Sequence, residues 1–220
     1  MNSSRPLCLL LLFLICALPS AADDRWTVRF FASYLETSGS LRDAGPGQTL
    51  EIDLSGDVGF GAAIERRFGE RWGVELSALT TEVESRVDLT GLNFEAVDVT
   101  DFRFVPVTLG LNYHVDVGER ADLYFGPLVG QASYGDLEAF VDVGFVTELG
   151  FDPGDRVELE DDIVYGAQIG LDLPVGESGW GFNSSLRYLV AELAGEDEGP
   201  DDSTIDLDPL IATAGLSYRF

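Results

Sequence analysis

After position 23 the chain contains no apolar run long enough to cross a bilayer as a helix, which needs about 20 residues. Instead, apolar and polar side chains alternate one by one over segments of about ten residues. Period-two alternation places successive side chains on opposite faces of an extended strand. In residues 26–34, Trp26, Val28, Phe30, Ala32 and Tyr34 share one face, while Thr27, Arg29, Phe31 and Ser33 share the other. In residues 210–220, Leu210, Ala212, Ala214, Leu216, Tyr218 and Phe220 oppose Thr213, Gly215, Ser217 and Arg219. Segments 58–68, 72–81, 104–115, 123–134, 163–173 and 180–190 follow the same rule, making eight strands. The pattern predicts an all-β protein: an eight-stranded antiparallel up-and-down transmembrane β-barrel. A 45% hydrophobic content excludes simple disorder. A net charge of -26, with 13 Arg and no Lys, excludes a nucleic-acid binder, because such a surface repels phosphate.

Residues 1–22 read as a secretory signal peptide, and residues 23–220 as the barrel. Arg5 gives a positive start, residues 7–18 are apolar, and Pro19-Ser20-Ala21-Ala22 offers small side chains before a cleavage at Asp23. A lipoprotein reading centred on Cys16 is disfavoured by bulky Ile15. Both cysteines, Cys8 and Cys16, fall in this leader, so the exported chain has no disulfide to hold it together.

The connections alternate long and short. The short ones are 69–71, 116–122 and 174–179; the long ones are 35–57, 82–103, 135–162 and 191–209. Outer-membrane barrels combine short periplasmic turns with long extracellular loops, and an even strand number leaves both termini in the periplasm. Trp26, Trp72 and Trp180 each open a strand at the short-turn end, where Phe68, Tyr113, Tyr218 and Phe220 close theirs. That distribution predicts an aromatic belt at the periplasmic headgroups. Tyr34 and Tyr188, with Phe102 as a further candidate, would make the opposite belt. Gly215, Tyr218 and terminal Phe220 look like the C-terminal signal read by the barrel-assembly machinery of bacterial outer membranes. These features predict the outer membrane of a Gram-negative bacterium as the location.

Two stretches resemble the OmpW family of small outer-membrane barrels. One runs from Pro106 through Tyr113-His114 and continues at Leu123-Tyr124-Phe125-Gly126-Pro127. The other joins Tyr165-Gly166, Trp180-Gly181-Phe182-Asn183, Arg187-Tyr188 and Asp208-Pro209 to the terminal Phe220. The acidic third loop and Pro127 within a strand depart from the family pattern. The resemblance implies an eight-stranded barrel with an apolar lumen that helps small hydrophobic molecules cross the outer membrane.

With the apolar face toward lipid, the opposite face lines the lumen. Near the periplasmic end that face carries Arg29, Glu65, Arg67, Glu75, Asn112, His114, Asp172 and Arg219, with Arg187 higher up. Charges crowded into a narrow barrel must pair, which predicts a salt-bridged polar floor that stops free water flow. Toward the extracellular end the inward positions are apolar: Phe31, Leu79, Pro106, Leu128, Val164, Leu189 and Ile211. These either pack the barrel shut or form a funnel for an apolar solute. Above a closed floor, such a solute would have to leave sideways. Pro106 and Pro127, on neighbouring strands, each remove one ladder donor and are the lateral-opening candidates. Arg66 falls on the lipid face, where it could snorkel to headgroups.

Of the 39 acidic residues, 29 lie in the four long connections. Outer-membrane lipids and lipopolysaccharide are expected partners, with divalent cations at the acidic loops as a candidate bridge. Asp197-Glu198-Gly199-Pro200-Asp201-Asp202 lacks the alternating ligands of a calcium loop. One His and no cysteine after the leader argue against a zinc site, so no metal and no cofactor are expected. A lipid A-modifying enzyme is a disfavoured alternative, because His114 has no Ser nucleophile at its level. A structural or adhesin-type barrel with a packed lumen is the other alternative.

Overall fold

The structure is a computed structural model, and it describes residues 25–37, 40–45, 48–91, 94–118, 121–135, 137–138, 156–157, 161–193 and 205–220. The signal peptide expected at residues 1–22 lies outside the described residues.

Eight strands form the barrel wall: β1 (Arg25–Glu36), β2 (Val58–Phe68), β3 (Trp72–Gly91), β4 (Phe94–Val117), β5 (Ala121–Tyr134), β6 (Asp162–Pro174), β7 (Trp180–Val190) and β8 (Leu210–Arg219). Each pairs antiparallel with its sequence neighbours, and β1 pairs with β8 to close the ring. Closure removes the open edges that a flat sheet would expose, and this is what lets strands span hydrocarbon. At the seam the backbones of Trp26 and Phe220 exchange two hydrogen bonds, of 3.0 and 2.9 Å. Gly215 lies against Phe31 there, and a Cβ on it would overlap the Phe30 carbonyl. In the turn between β2 and β3, Gly69 takes φ 64°, a conformation that glycine adopts without steric cost.

The alternation seen in the sequence becomes an alternation of burial. Along β7 every second residue from Trp180 to Tyr188 is exposed, and every residue between is buried. The exposed set is the apolar one: Phe60 is 68% and Ile163 70% exposed, both on the outer surface. At the short-turn end Trp72 and Tyr113 meet edge to face at 5.0 Å, with Phe125 5.8 Å from Tyr113. Trp180 and Tyr218 are 4.9 Å apart, and Phe220 stacks at 6.0 Å from Tyr218. Tyr34 and Tyr188 face outward at the opposite end. Phe102 does not join them. It is buried on the inner face, 6.3 Å from Tyr134.

The segment 82–103, expected to be a loop, is instead the upper part of one long hairpin whose ladder runs without a break from Thr81–Phe104 to Gly91–Phe94. A second hairpin, Ser40–Gly45 with Gln48–Gly56, pairs along the same projecting part of β3. These residues lie beyond the lipid-contacting belt. Along 82–89 the alternation reverses phase: Glu82 and Glu84 are exposed and Val83 is buried, so the apolar-outward pattern that marks a membrane strand ends while the backbone pairing continues.

Candidate functional site: the barrel lumen

The lumen divides along its axis. In the half nearer the short turns, Arg29 of β1 is fully buried, and its guanidinium holds three carboxylates from three other strands. Nη1 donates to Glu65 Oε2 at 3.0 Å and to Glu75 Oε2 at 2.8 Å, and Nη2 donates to Asp172 Oδ2 at 2.6 Å. Its Cζ lies 4.7 Å from the centre of the Tyr124 ring. The network spreads from this hub. Asn112 donates to Glu65 at 3.0 Å, and Gln168 donates to Glu75 at 3.1 Å and to Asn112 at 2.8 Å. Asn183 donates to Asp172 and to the Tyr124 hydroxyl, both at 3.0 Å.

A second cluster lies around Asp122. Arg67 reaches it at 3.0 Å and Arg219 at 3.2 Å, and His114 Nδ1 is 3.1 Å away. The other ring nitrogen of His114 lies 2.8 Å from Glu65 Oε1, joining this cluster to the first. Arg187 caps the layer, with Nη2 3.2 Å from Glu75, Nη1 donating to Ser77 Oγ at 2.7 Å, and Cζ 5.1 Å from the Phe31 ring centre. Glu65, Glu75, Asp122 and Asp172 thus face Arg29, Arg67, Arg187 and Arg219, four anions against four cations. That balance is the condition under which charges can be kept out of water.

Arg29, Glu65, Arg67, Glu75, His114, Asp172, Arg187 and Arg219 are therefore brought into one connected layer. Sequence reasoning missed Asp122, Tyr124, Gln168 and Asn183. Asp122 sat inside a stretch read as a turn, though it shares the parity of Tyr124 and Leu128, which would have placed it inward. Arg66 does face outward. It is covered by the Trp26 ring, whose centre is 5.7 Å from its Cζ.

Above Arg187 the lining is mostly apolar, with the hydroxyls of Ser33 and Thr81 set among it. Phe31, Leu79, Pro106, Leu128, Val164, Leu189 and Ile211 are all buried there. Leu35, Val83, Phe104 and Leu207, which the sequence reading did not include, are 0% exposed and extend the same cluster.

The wall is interrupted at both prolines. The β3–β4 ladder pairs Ala78 with Val107 and resumes only at Thr81 with Phe104, passing over Pro106. The β4–β5 ladder pairs Gly110 with Leu128 and resumes at Tyr113 with Phe125, passing over Pro127. Pro106 points inward and Pro127 outward, so β4 lacks ladder pairs on each side at different heights.

A closed ring of eight strands, an apolar exterior bounded by aromatic rings, and an ion-paired interior together define a small β-barrel of the outer membrane. The OmpW family model matches residues 33–220, and the chain belongs to that family. Among solved structures it is similar to Neisserial surface protein A, with TM-score 0.55 and 11% identity, covering 89% of this chain and 97% of that one. It is also similar to outer membrane protein AlkL as determined in DMPC lipid bilayers, with TM-score 0.53 and 23% identity, covering 92% of this chain and 93% of that one. No curated protein sequence matches it. The protein therefore resides in the outer membrane of a Gram-negative bacterium, with its short turns in the periplasm and its outer face against lipid.

Proposed function

We propose that the barrel lets small hydrophobic molecules cross the outer leaflet and releases them sideways into the bilayer, without catalysis. The observation that carries this reading is the axial division of the lumen: an apolar upper half ends on a floor in which four Arg and four carboxylates are paired. An apolar solute lying among Phe31, Leu79, Leu128 and Ile211 would lose its surroundings on entering that layer, while ions and water are stopped by it. The route of least cost is lateral, and the gaps at Pro106 and Pro127 supply unpaired wall on both sides of β4. In this reading lipopolysaccharide surrounds the outer half, with divalent cations bridging it to the acidic loops, and the Gly215–Phe220 end is the signal for the assembly machinery.

The test is uptake of a fluorescent hydrophobic tracer into proteoliposomes. The expected result is flux above protein-free vesicles that falls when Pro106→Val and Pro127→Val are combined. Unchanged flux in the double variant would overturn lateral release. The full burial of Leu35, Phe104, Val164 and Ile211 supports a second reading, a structural barrel with a packed lumen. Tracer flux equal to that of empty vesicles would favour that reading.

A further inference from the structure

Below the floor, at the periplasmic mouth, lies a hollow of about 200 Å³ that the lumen reading does not use. The β6–β7 turn borders it through Gly176, Glu177 and Gly179, and the start of β7 at Trp180 and Gly181 completes the rim. Thr27, Ser217 and Arg219 line the side made by β1 and β8, and Asp172 lies at the top. The turn can curl this tightly because Gly176 and Gly179 take φ 64° and 78°.

The lining carries both signs of charge. Arg219 is 30% exposed and gives one Nη to Asp122 at 3.2 Å, which leaves the rest of its guanidinium facing the mouth. Asp172 is already held by Arg29 at 2.6 Å and Asn183 at 3.0 Å, so it adds no free anion. Glu177 does: its carboxylate stands exposed on the lip. Thr27 is 2% exposed, and its hydroxyl has no hydrogen-bond partner among the described residues. A buried hydroxyl in that state costs free energy that a ligand acceptor would recover. A simple anion in this hollow would leave Glu177 repelling it, and a simple cation would be repelled by Arg219. A molecule with both charges a few bonds apart suits the lining. The volume is below that of ordinary drug-sized pockets, which suits an amino acid rather than a peptide or sugar chain.

We propose that this hollow is a periplasm-facing binding site for a small zwitterion of the α-amino acid class. Its carboxylate is held by Arg219 with the Thr27 and Ser217 hydroxyls, and its ammonium faces Glu177. The site is independent of how the upper lumen is used.

The experiment is titration of the full mature barrel, in nanodiscs, with alanine, propionate and ethylammonium, following the Gly181 amide and Thr27 methyl signals by NMR. Alanine should shift both signals saturably at millimolar concentration, and each singly charged analogue should bind about tenfold more weakly or worse. Glu177→Gln, on an exposed turn that leaves the barrel intact, should weaken alanine about tenfold and leave propionate unchanged. Absence of a saturable shift with alanine would overturn the proposal. So would equal affinity for propionate and alanine, or an unaltered alanine affinity in Glu177→Gln.

Discussion

Arg29 shows how one side chain can organise a barrel interior. Its four neighbours in the layer, Glu65, Glu75, Asp172 and the Tyr124 ring, come from β2, β3, β6 and β5, so a single guanidinium ties the wall together across its diameter. Removing it leaves three carboxylates facing each other in a space closed to water. Arg29→Met should therefore lower stability by roughly 3–5 kcal/mol, the usual loss when one member of a buried ionic network is deleted. The urea midpoint of the refolded barrel in micelles measures it. Adding Glu75→Gln and Asp172→Asn to Arg29→Met should recover much of the loss, because the orphaned charges go with their partner. Arg71 offers the contrast. It sits in the exposed β2–β3 turn and donates to the Tyr113 hydroxyl at 2.9 Å, and Arg71→Ala should shift the midpoint little. A loss for Arg29→Met as small as that for Arg71→Ala would mean that the floor is hydrated.

At the scale of elements, the ring and the projecting sheet obey different rules, and only the first was legible in the sequence. Strands in contact with lipid must show apolar residues outward, so 26–34 or 180–190 declare themselves by alternation alone. Above the belt that constraint ends. Residues 82–89 and 49–54 still alternate, Val83, Val87 and Leu89 against Glu82, Glu84, Arg86 and Asp88, and Leu50, Ile52 and Leu54 against Thr49, Glu51 and Asp53, but the apolar set no longer continues the lipid-facing one, and these segments were read as loops. Val83 and Phe102, inward residues just above the expected strand ends, were missed for the same reason, as was Phe104 at the first position of the expected strand 104–115. The polar floor was legible because charged residues in the middle of a membrane strand are driven to the inner face, Arg66 near the end of β2 being the exception. The ring and the projection also separate energetically, since all eight ring strands pair with both neighbours below Thr81, interrupted beside Pro106 and Pro127. Replacing residues 84–101 with a short turn should leave the heat-modifiable gel shift of the folded barrel intact. Loss of that shift would show that the long hairpin nucleates ring closure.

For the whole molecule, the decisive variable is which solvent meets which surface. A water-soluble eight-stranded barrel would put Phe30, Phe60, Ile163 and Phe182 inside and Arg29, Glu65 and Glu75 outside; this chain does the reverse at every strand. The inversion is affordable only because hydrocarbon solvates the outer set and mutual pairing solvates the inner one. The two faces should therefore respond in opposite ways to the same substitution on adjacent residues of one strand. Ile169 faces outward near the middle of β6, 47% exposed, and Gln168 beside it is buried in the floor. Ile169→Arg should cost about 2–4 kcal/mol of folding stability in a bilayer, the penalty for a charge at the hydrocarbon midplane. In short-chain detergent, where headgroups and water come close to every side chain, the cost should shrink. Ile169→Leu should be near neutral in both media. Gln168→Leu should behave differently again, weakening the barrel equally in bilayer and detergent, because it removes the donors to Glu75 and Asn112 without touching lipid. Equal penalties for Ile169→Arg in the two media would mean that the outer face is not in contact with hydrocarbon, and the inverted barrel would have to be abandoned.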